Sequence, residues 1–145
     1  MKVHRIIPGI YQRGHTEHLP VSDRLATCAS LGITSAVNLW TPRDDILGNT
    51  LNYYHFPIPD GLLSWETQRA LEQLSEHIVR SLSVGDGWLI QCHAGRNRSG
   101  LLSALVVRQA LGLSGRLALA HVRLMRPGSV ANPHFEAYLN TLGDP

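Results

Sequence analysis

The sequence predicts an α/β fold in which helices flank a central mixed sheet of about five strands. First, short segments rich in β-branched and aromatic residues alternate along the chain with segments whose apolar residues recur at helical spacing. Second, the segment WLIQ at residues 88–91 is apolar enough for a buried strand, which places it in the middle of the sheet. Third, 145 residues suit one domain and can bury a core, so we expect a single domain over residues 1–145.

The first half of the chain contributes four strands and one helix to this prediction. HRII and IYQRG are short strands that flank the turn at Pro8–Gly9. A helix begins near Ser22–Asp23 and ends at Gly32, because glycine readily adopts the backbone conformation that terminates a helix. The remaining segments, in chain order, are the buried strand SAVNLW, the loop TPRDDILGN, the strand LNYYHF and the rigid loop PIPDG.

The second half is mostly helical around the WLIQ strand. Apolar residues recur at helical spacing from about Ser64 to Ser83 and predict a long amphipathic helix. The helix after Arg98 is apolar nearly all round, which indicates the central buried helix. Another helix follows Ser114, and a last one begins at Asn132–Pro133, a capping residue followed by a first-turn proline. The core face predicted for the last helix comprises Phe135, Tyr138, Leu139 and Leu142.

Composition narrows the functional class. The net charge is only +2, so the chain lacks the strong positive field of a polybasic nucleic-acid binder, although its basic balance suits an anionic substrate. Two cysteines, Cys28 and Cys92, cannot form a disulfide framework. No apolar segment has the length of a signal peptide or a membrane span, so we expect a cytoplasmic, reducing setting.

The stretch GWLIQCHAGRNRSGLLSALVV at residues 87–107 carries the chemistry. A strand that turns directly into a helix presents unpaired backbone N–H groups at the helix N-terminus, which favours an anion. Gly95 lets the loop curl so that these groups converge, and Arg98 can hold two phosphate oxygens with its planar guanidinium. Cys92 lies at the strand end, where the helix dipole and the arginine favour the thiolate, and the hydroxyl of Ser99 can donate to it. The loop therefore combines an anion cradle with a nucleophile.

This Cys-x5-Arg-Ser pattern resembles the signature of the cysteine-dependent protein tyrosine phosphatases, in particular the small dual-specificity type. The matching residues are Cys92, Arg98 and Ser99, with Ala94–Gly95 inside the loop. The segment HFPIPDG resembles the family segment that carries the general-acid aspartate, here Asp60. RPGSVANPHFEAYL resembles the segment that closes the fold beside the loop, and IIPGIYQRG and LGITSAVNL resemble the first strands, so the resemblance covers nearly the whole chain.

The resemblance implies a phosphatase domain that needs neither a metal nor another cofactor. Cys92 attacks phosphorus, Asp60 protonates the leaving oxygen and then activates water, Arg98 clamps the phosphoryl group, and Ser99 stabilises the departing thiolate. The backbone N–H groups that cradle the phosphate belong to His93, Ala94, Gly95, Arg96, Asn97 and Arg98. The implied partner is a phosphorylated protein.

One residue departs from the family pattern. The family usually has histidine before the nucleophile, where it orders the loop, and this chain has Gln91. Other acids compete with Asp60, namely Asp44 and Asp45 in a polar loop and Asp144 at the end of the chain. Asp60 is favoured over them because its segment and its separation from Cys92 are typical of the family.

The leading hypothesis is a phosphatase for phosphotyrosine, and for phosphoserine and phosphothreonine, in proteins. His93 and Arg96 stand where lipid-phosphate phosphatases of this superfamily carry lysines. A phosphoinositide phosphatase is therefore an alternative function. The NRS triplet at residues 97–99 similarly resembles the RNA 5′-triphosphatase branch, although the modest net charge disfavours nucleic acid. A non-catalytic phosphate-binding module is disfavoured because Cys92 and Asp60 are both intact, and the position of the nucleophile disfavours a sulfurtransferase or an arsenate reductase.

Several further residues have ordinary structural interpretations. Cys28 is expected in the core rather than as a redox partner of Cys92. The spacing of His15 and His18 is insufficient for a metal site without further ligands. Trp40 and Trp65 fit the wall of a cleft, the core and the surface equally well.

Overall fold

Five strands form one mixed sheet in the computed structural model, which describes residues 2–145. The strands are β1 (His4–Ile7), β2 (Ile10–Gly14), β3 (Ile33–Asn38), β4 (Asn52–His55) and β5 (Gly87–Cys92). Their spatial order is β1-β2-β5-β3-β4, with β1 antiparallel to β2 and all other neighbours parallel. The predicted fold class and the central position of the WLIQ strand are confirmed.

Six helices surround the sheet within the described residues. They are α1 (Val21–Leu31), α2 (Asp45–Gly48), α3 (Trp65–Leu82), α4 (Arg98–Leu111), α5 (Gly115–Met125) and α6 (Pro133–Asn140). The side chains of Ser64, Ser114 and Asn132 accept hydrogen bonds from backbone N–H groups in the first turns of α3, α5 and α6. These bonds fix the helix starts that the sequence predicts, because they satisfy donors that the helix itself leaves unpaired.

The sheet separates two apolar cores. On one face, Trp88 and Ile90 of β5 pack with α3, α4, α5 and α6, and on the other Leu89 packs with Cys28 of α1 and Leu47 of α2. Every residue from 99 to 108 of α4 is buried, so α4 is the central helix that its apolar sequence predicts. Within residues 2–145 no single helix is long and apolar enough to cross a membrane, and α4 with α5 would meet that test only as a pair bent by 116°.

Two details differ from the prediction. The segment TPRDDILGN, predicted as a loop, contains α2, because the side chain of Asp44 accepts a hydrogen bond from Leu47 N and Leu47 is buried. One polar cap and one apolar anchor thus suffice for a single turn that shows no periodicity in sequence. Leu142 does not belong to the core face of α6, since that helix ends at Asn140; it packs against the core, partly buried, from the following segment.

The burial of α4 predicts a large stability difference between two leucine truncations. Leu102 is fully buried in α4, so Leu102→Ala should lower the free energy of unfolding by about 2–5 kcal/mol through lost burial and an unfilled cavity. Leu124 in α5 is 76% exposed, so Leu124→Ala should change it by less than about 0.5 kcal/mol. Urea unfolding followed by circular dichroism measures both, and similar losses would contradict the packing described here.

Candidate active site

The carboxyl end of β5 and the N-terminus of α4 enclose a short loop of residues 93–97, here called the site loop. Cys92 is the last residue of β5, and Arg98 is the first of α4. Asn97 occupies the N-cap of α4 without any side-chain capping bond, in contrast to the capped α3, α5 and α6. Backbone donors at this helix start therefore remain available to an anion, and the helix dipole favours negative charge there.

The thiol of Cys92 is held from the helix side. Its Sγ lies 3.2 Å from the hydroxyl oxygen of Ser99, and the two form a hydrogen bond. Ser99 is fully buried and Cys92 is 2% exposed, so a substrate can reach the sulfur only through the opening of the loop. The hydroxyl is therefore placed to donate a hydrogen bond to the sulfur as well as to accept one from it.

The side chains converge on one cavity of about 130 Å³, here called the site cavity. It is lined by Asp60, Cys92, His93, Ala94, Arg96, Asn97 and Arg98. The buried Nε of Arg98 has no hydrogen-bond partner among residues 2–145. Leaving such a donor unpaired is unfavourable, so an oxyanion in the cavity would supply the acceptor that this group lacks.

Gly95 does not line the cavity but lies against the end of β2. Its φ is +67°, and a Cβ at this position would stand 2.3 Å from both Arg13 C and Gly14 N. The side-chain amide of Gln12 donates to Gly95 O at 3.0 Å, and His15 N donates to His93 O at 3.1 Å. The end of β2 therefore supports the curled loop from behind, a role that the sequence analysis did not predict. The only sequence signals were the polar Gln12 and Arg13 and the glycine at the end of this short strand.

Asp60 lines the same cavity as Cys92, and both its oxygens accept hydrogen bonds. Asn97 Nδ2 donates to Oδ2 at 3.2 Å, and Asn132 Nδ2 donates to Oδ1 at 3.0 Å. Asn97 Oδ1 accepts from Ala131 N at 2.8 Å. The segment PIPDG, the site loop and the start of α6 are therefore joined by amide side chains, which fixes the carboxylate over the cavity.

An aromatic cluster adjoins the cavity through His93, the one of its rings that lines it. The rings of His15 and Trp40 are stacked with centroids 4.4 Å apart, and the exposed ring of His93 lies 5.0 Å and 5.2 Å from them respectively. Burial lowers the pKa of His15, and the neighbouring His93 lowers it further. His15 and His18 are 5.8 Å apart as rings, and residues 2–145 contain no group of three or more His, Cys, Asp or Glu side chains placed to hold a metal ion.

The remaining candidates lie away from the cavity centre. Arg96 is at the rim, where its Nε donates to Gly128 O at 2.7 Å. Trp65 does not join the wall, since it is 66% exposed on α3 with the guanidinium of Arg69 over its ring. Cys28 is buried between α1 and the sheet, as predicted for a core residue, and burial raises the pKa of its thiol.

The competing acids are also placed elsewhere. Asp44 caps α2 and accepts a hydrogen bond from Gln91 Nε2 at 3.1 Å, on the face of β5 that carries α1 and α2. Asp45 is largely exposed and pairs with Arg43 at 3.1 Å. Asp144 is exposed in the segment after α6, and neither it nor the two loop acids lines the site cavity. Asp60 is therefore the carboxylate that the structure brings to Cys92.

The order of the strands and the loop between β5 and α4 together identify the fold class of the protein. The chain has the fold of the small dual-specificity phosphatases within the cysteine-dependent tyrosine phosphatase superfamily, and the predicted resemblance is confirmed at this level. No family model and no curated protein matches the chain in sequence.

Three solved structures show how similar this chain is to individual proteins with the same fold. The crystal structure of Tk-PTP in its active form is 26% identical, with a TM-score of 0.77 over 97% of this chain and 95% of that one. Human DUSP28 is 20% identical, with a TM-score of 0.78 over 96% and 90%. A human tyrosine phosphatase-like serine/threonine/tyrosine-interacting protein is 22% identical, with a TM-score of 0.78 over 96% and 93%. The likeness thus spans nearly the full length of each chain, although sequence identity is low.

The close approach of Gly95 to β2 predicts a sharp difference between two glycine substitutions. Gly95→Ala should abolish binding of tungstate, a phosphate-shaped anion, because its Cβ cannot coexist with the Arg13–Gly14 peptide. Gly112→Ala is the matched control, since Gly112 has a similar φ of +65° but no atom within 4 Å of the added Cβ. It should lower stability by only about 1–2 kcal/mol and leave binding intact. Calorimetric titration with tungstate measures the binding of both variants. Equal losses of binding would show that the backbone conformation of the glycine matters and its contact with β2 does not.

Proposed function

We propose that this chain is a phosphatase that hydrolyses phosphomonoesters through a phosphocysteine intermediate on Cys92. The observation that carries the proposal is the convergence of Cys92, Arg98 and Asp60 on one polar cavity at the start of an uncapped helix. We propose phosphotyrosine in proteins as the principal substrate, with phosphoserine and phosphothreonine as further substrates. Residues 1–145 would act as one catalytic domain in a cytoplasmic, reducing setting that keeps the thiol of Cys92 unoxidised.

Binding of the phosphoryl dianion would use the backbone of the site loop. We assign the phosphate oxygens to the backbone N–H groups of residues 93–98, all of which except Gly95 line the cavity, and to the guanidinium of Arg98, which supplies charge-assisted bonds. The unpartnered Nε of Arg98 supports this assignment, because a phosphate oxygen is the acceptor it lacks. These donors are already in position before the reaction, so they can stabilise the transition state without reorganisation.

In the first chemical step, the Cys92 thiolate attacks phosphorus in line with the ester oxygen. The S–P bond forms, the P–O bond to the substrate breaks, and the electron pair passes to the leaving oxygen. Asp60, in its protonated form, donates its proton to that oxygen. Asn97 and Asn132 hold the Asp60 side chain over the cavity, so the acid faces the leaving group.

In the second step, water hydrolyses the phosphocysteine. Asp60, now ionised, accepts a proton from the water, whose oxygen bonds to phosphorus as the S–P bond breaks. The electron pair returns to sulfur, and the hydroxyl of Ser99, 3.2 Å away, donates to the departing thiolate. Inorganic phosphate leaves, and the starting state of Cys92 and Ser99 is restored.

The wall of the cavity supports an aromatic phosphoester. The exposed ring of His93 lines the cavity and contacts Trp40 and His15, so the phenyl ring of phosphotyrosine would meet an aromatic surface beside the phosphate. Similarity to solved structures of dual-specificity and tyrosine phosphatases supports the same class of substrate. Arg96 at the rim supports the second candidate, a phosphoinositide or a 5′-triphosphorylated RNA, whose additional phosphates its guanidinium could bind.

The nucleophile assignment predicts that Cys92→Ser lowers kcat by at least about a thousandfold, because serine is a far weaker nucleophile at neutral pH. Tungstate binding should persist, since the site loop and Arg98 are unchanged. Phosphate release should be measured with a reductant and a chelator present, on a phosphotyrosine peptide, a phosphothreonine peptide, a phosphoinositide and a 5′-triphosphorylated RNA.

Substrate choice follows from the same panel. Fastest release from the phosphotyrosine peptide is expected, and faster release from the lipid or the RNA would replace the principal substrate with the second candidate. Tungstate binding without any release from the wild-type chain would indicate a phosphate-binding module instead. Undiminished turnover by Cys92→Ser would overturn the mechanism.

The acid assignment predicts a leaving-group effect for Asp60→Asn. This variant should lose roughly a hundredfold or more in kcat on phenyl phosphate, but less than about tenfold on 4-nitrophenyl phosphate, whose leaving group needs little protonation. The matched control is Asp23→Asn, an exposed aspartate in the first turn of α1, which should leave both rates unchanged. Equal losses on the two substrates would assign the proton to another group.

A further inference from the structure

A chain of polar side chains, buried at Arg13 and Gln91 and half-buried at Asp44, runs along the face of the sheet that carries α1 and α2. Arg13 Nε donates to Gln91 Oε1 at 3.2 Å, and Gln91 Nε2 donates to Asp44 Oδ2 at 3.1 Å. Gln91 is fully buried and Arg13 is 2% exposed. These three residues, here called the Arg13 network, join β2, β5 and the start of α2 directly behind the nucleophile. Gln91 stands where the family pattern has histidine.

The guanidinium of Arg13 has few hydrogen-bond partners and no direct ion pair. Arg13 Nη1 has only Arg24 O at 3.4 Å and the thiol of Cys28 at 4.0 Å, and the buried Nη2 has no partner among residues 2–145. Its nearest carboxylate, Asp44, is reached only through the neutral amide of Gln91. Burial lowers the pKa of the guanidinium, while Cys28 and Asp44 act in the opposite direction, and arginine nevertheless stays charged at neutral pH. Burying a charge in this way is costly, which points to a role for it at this position.

The network also contacts the site loop through the backbone. Arg13 pairs with Gln91, and Gly14 pairs with Cys92, in the parallel ladder of β2 and β5. Gly95 packs directly on the peptide between Arg13 and Gly14. The side chain of Arg13 is therefore fixed to the strand end on which the site loop rests, and its charge lies in a region where water does not screen it.

We propose that Arg13, acting through Gln91, is a positioning residue of the site loop whose buried positive charge favours an anion in the site cavity, with Asp44 as its remote counter-ion. This inference rests on the proposed function for its relevance to catalysis, but anion binding tests it independently. Arg13 contacts neither the substrate nor the sulfur; it holds the strand end and adds a fixed positive charge behind the loop. Gln91 connects Arg13 to its counter-ion, because its amide accepts a hydrogen bond from Arg13 on one side and donates one to Asp44 on the other. It therefore takes part both in holding the strand end and in placing the charge.

Charge substitutions distinguish this role from a purely structural one. Asp44→Asn removes the counter-charge and leaves one side-chain oxygen in place of two, which keeps the cap of α2 but gives up the bond from Gln91 Nε2, and the anion site becomes more positive. A variant that merely loosened the loop would bind anions more weakly, whereas the charge argument predicts tighter binding. The matched control is Asp45→Asn, which makes the same change in net charge on the neighbouring residue, where the carboxylate is exposed and water screens it.

The experiment is calorimetric titration with tungstate, together with the rate at which iodoacetamide alkylates Cys92 at pH 6. Asp44→Asn should bind tungstate roughly three- to tenfold more tightly than the wild type and be alkylated faster, while Asp45→Asn changes both by less than about twofold. Arg13→Met should shift both readouts in the opposite direction by roughly tenfold or more. Cys28→Ser must be present in every variant so that alkylation reports on Cys92 alone.

The outcomes of these measurements test the charge role of Arg13 separately from the proposed phosphatase function. Weaker tungstate binding by Asp44→Asn with an unchanged melting temperature would overturn the charge role, and so would equal responses of the Asp44 and Asp45 variants. If Arg13→Met does not fold, the Asp44 pair alone still tests the proposal. Tungstate binding with the predicted signs, but no phosphate release from any substrate, would refute the proposed function and leave the Arg13 network established as part of an anion site.

Discussion

The architecture of the site depends on one close backbone contact, in which the site loop rests on the end of β2. Gly95 adopts a positive φ and touches the Arg13–Gly14 peptide, and Gly14 in turn has no room for a side chain, since a Cβ there would lie 2.7 Å from His93 O. Two glycines from distant parts of the chain thus allow two backbones to meet without side chains between them. Without this contact the loop could not curl tightly enough for its N–H groups to converge on one anion.

The same loop also connects the segments that carry Cys92 and Asp60. Asn97 is the N-cap of α4 by position, yet its side chain leaves the helix donors uncapped and instead joins Asp60 to the segment before α6. This arrangement leaves the helix start available for an anion and holds the Asp60 carboxylate at the cavity that Cys92 also lines. One asparagine therefore links the two halves of the proposed chemistry. Its neighbour Arg98 is both the first residue of α4 and part of the lining of the cavity.

Local patterns predicted the fold and the central residues of the site, whereas the supporting contacts could not be predicted. Apolar periodicity identifies α3 and α4, and the spacing of Cys92, Arg98 and Ser99 identifies the loop, because these signals lie within one segment. The short α2 has no periodicity, and its cap Asp44 lies in a segment that the sequence predicts as a loop. Gln12, Arg13 and Gln91 are hydrogen-bonded to partners far along the chain, so their burial follows only from the tertiary structure.

Gln91, which stands where the family pattern has histidine, is held by side-chain hydrogen bonds on both sides. A buried glutamine needs both a donor and an acceptor as neighbours, because an unpaired amide in the core is costly. Arg13 supplies the donor and Asp44 the acceptor, so the substitution is tolerated only if both charged residues are present behind the sheet. The three residues must therefore be understood as one unit: changing Gln91 alone strands a buried cation, and changing Arg13 alone leaves the amide oxygen of Gln91 without its partner.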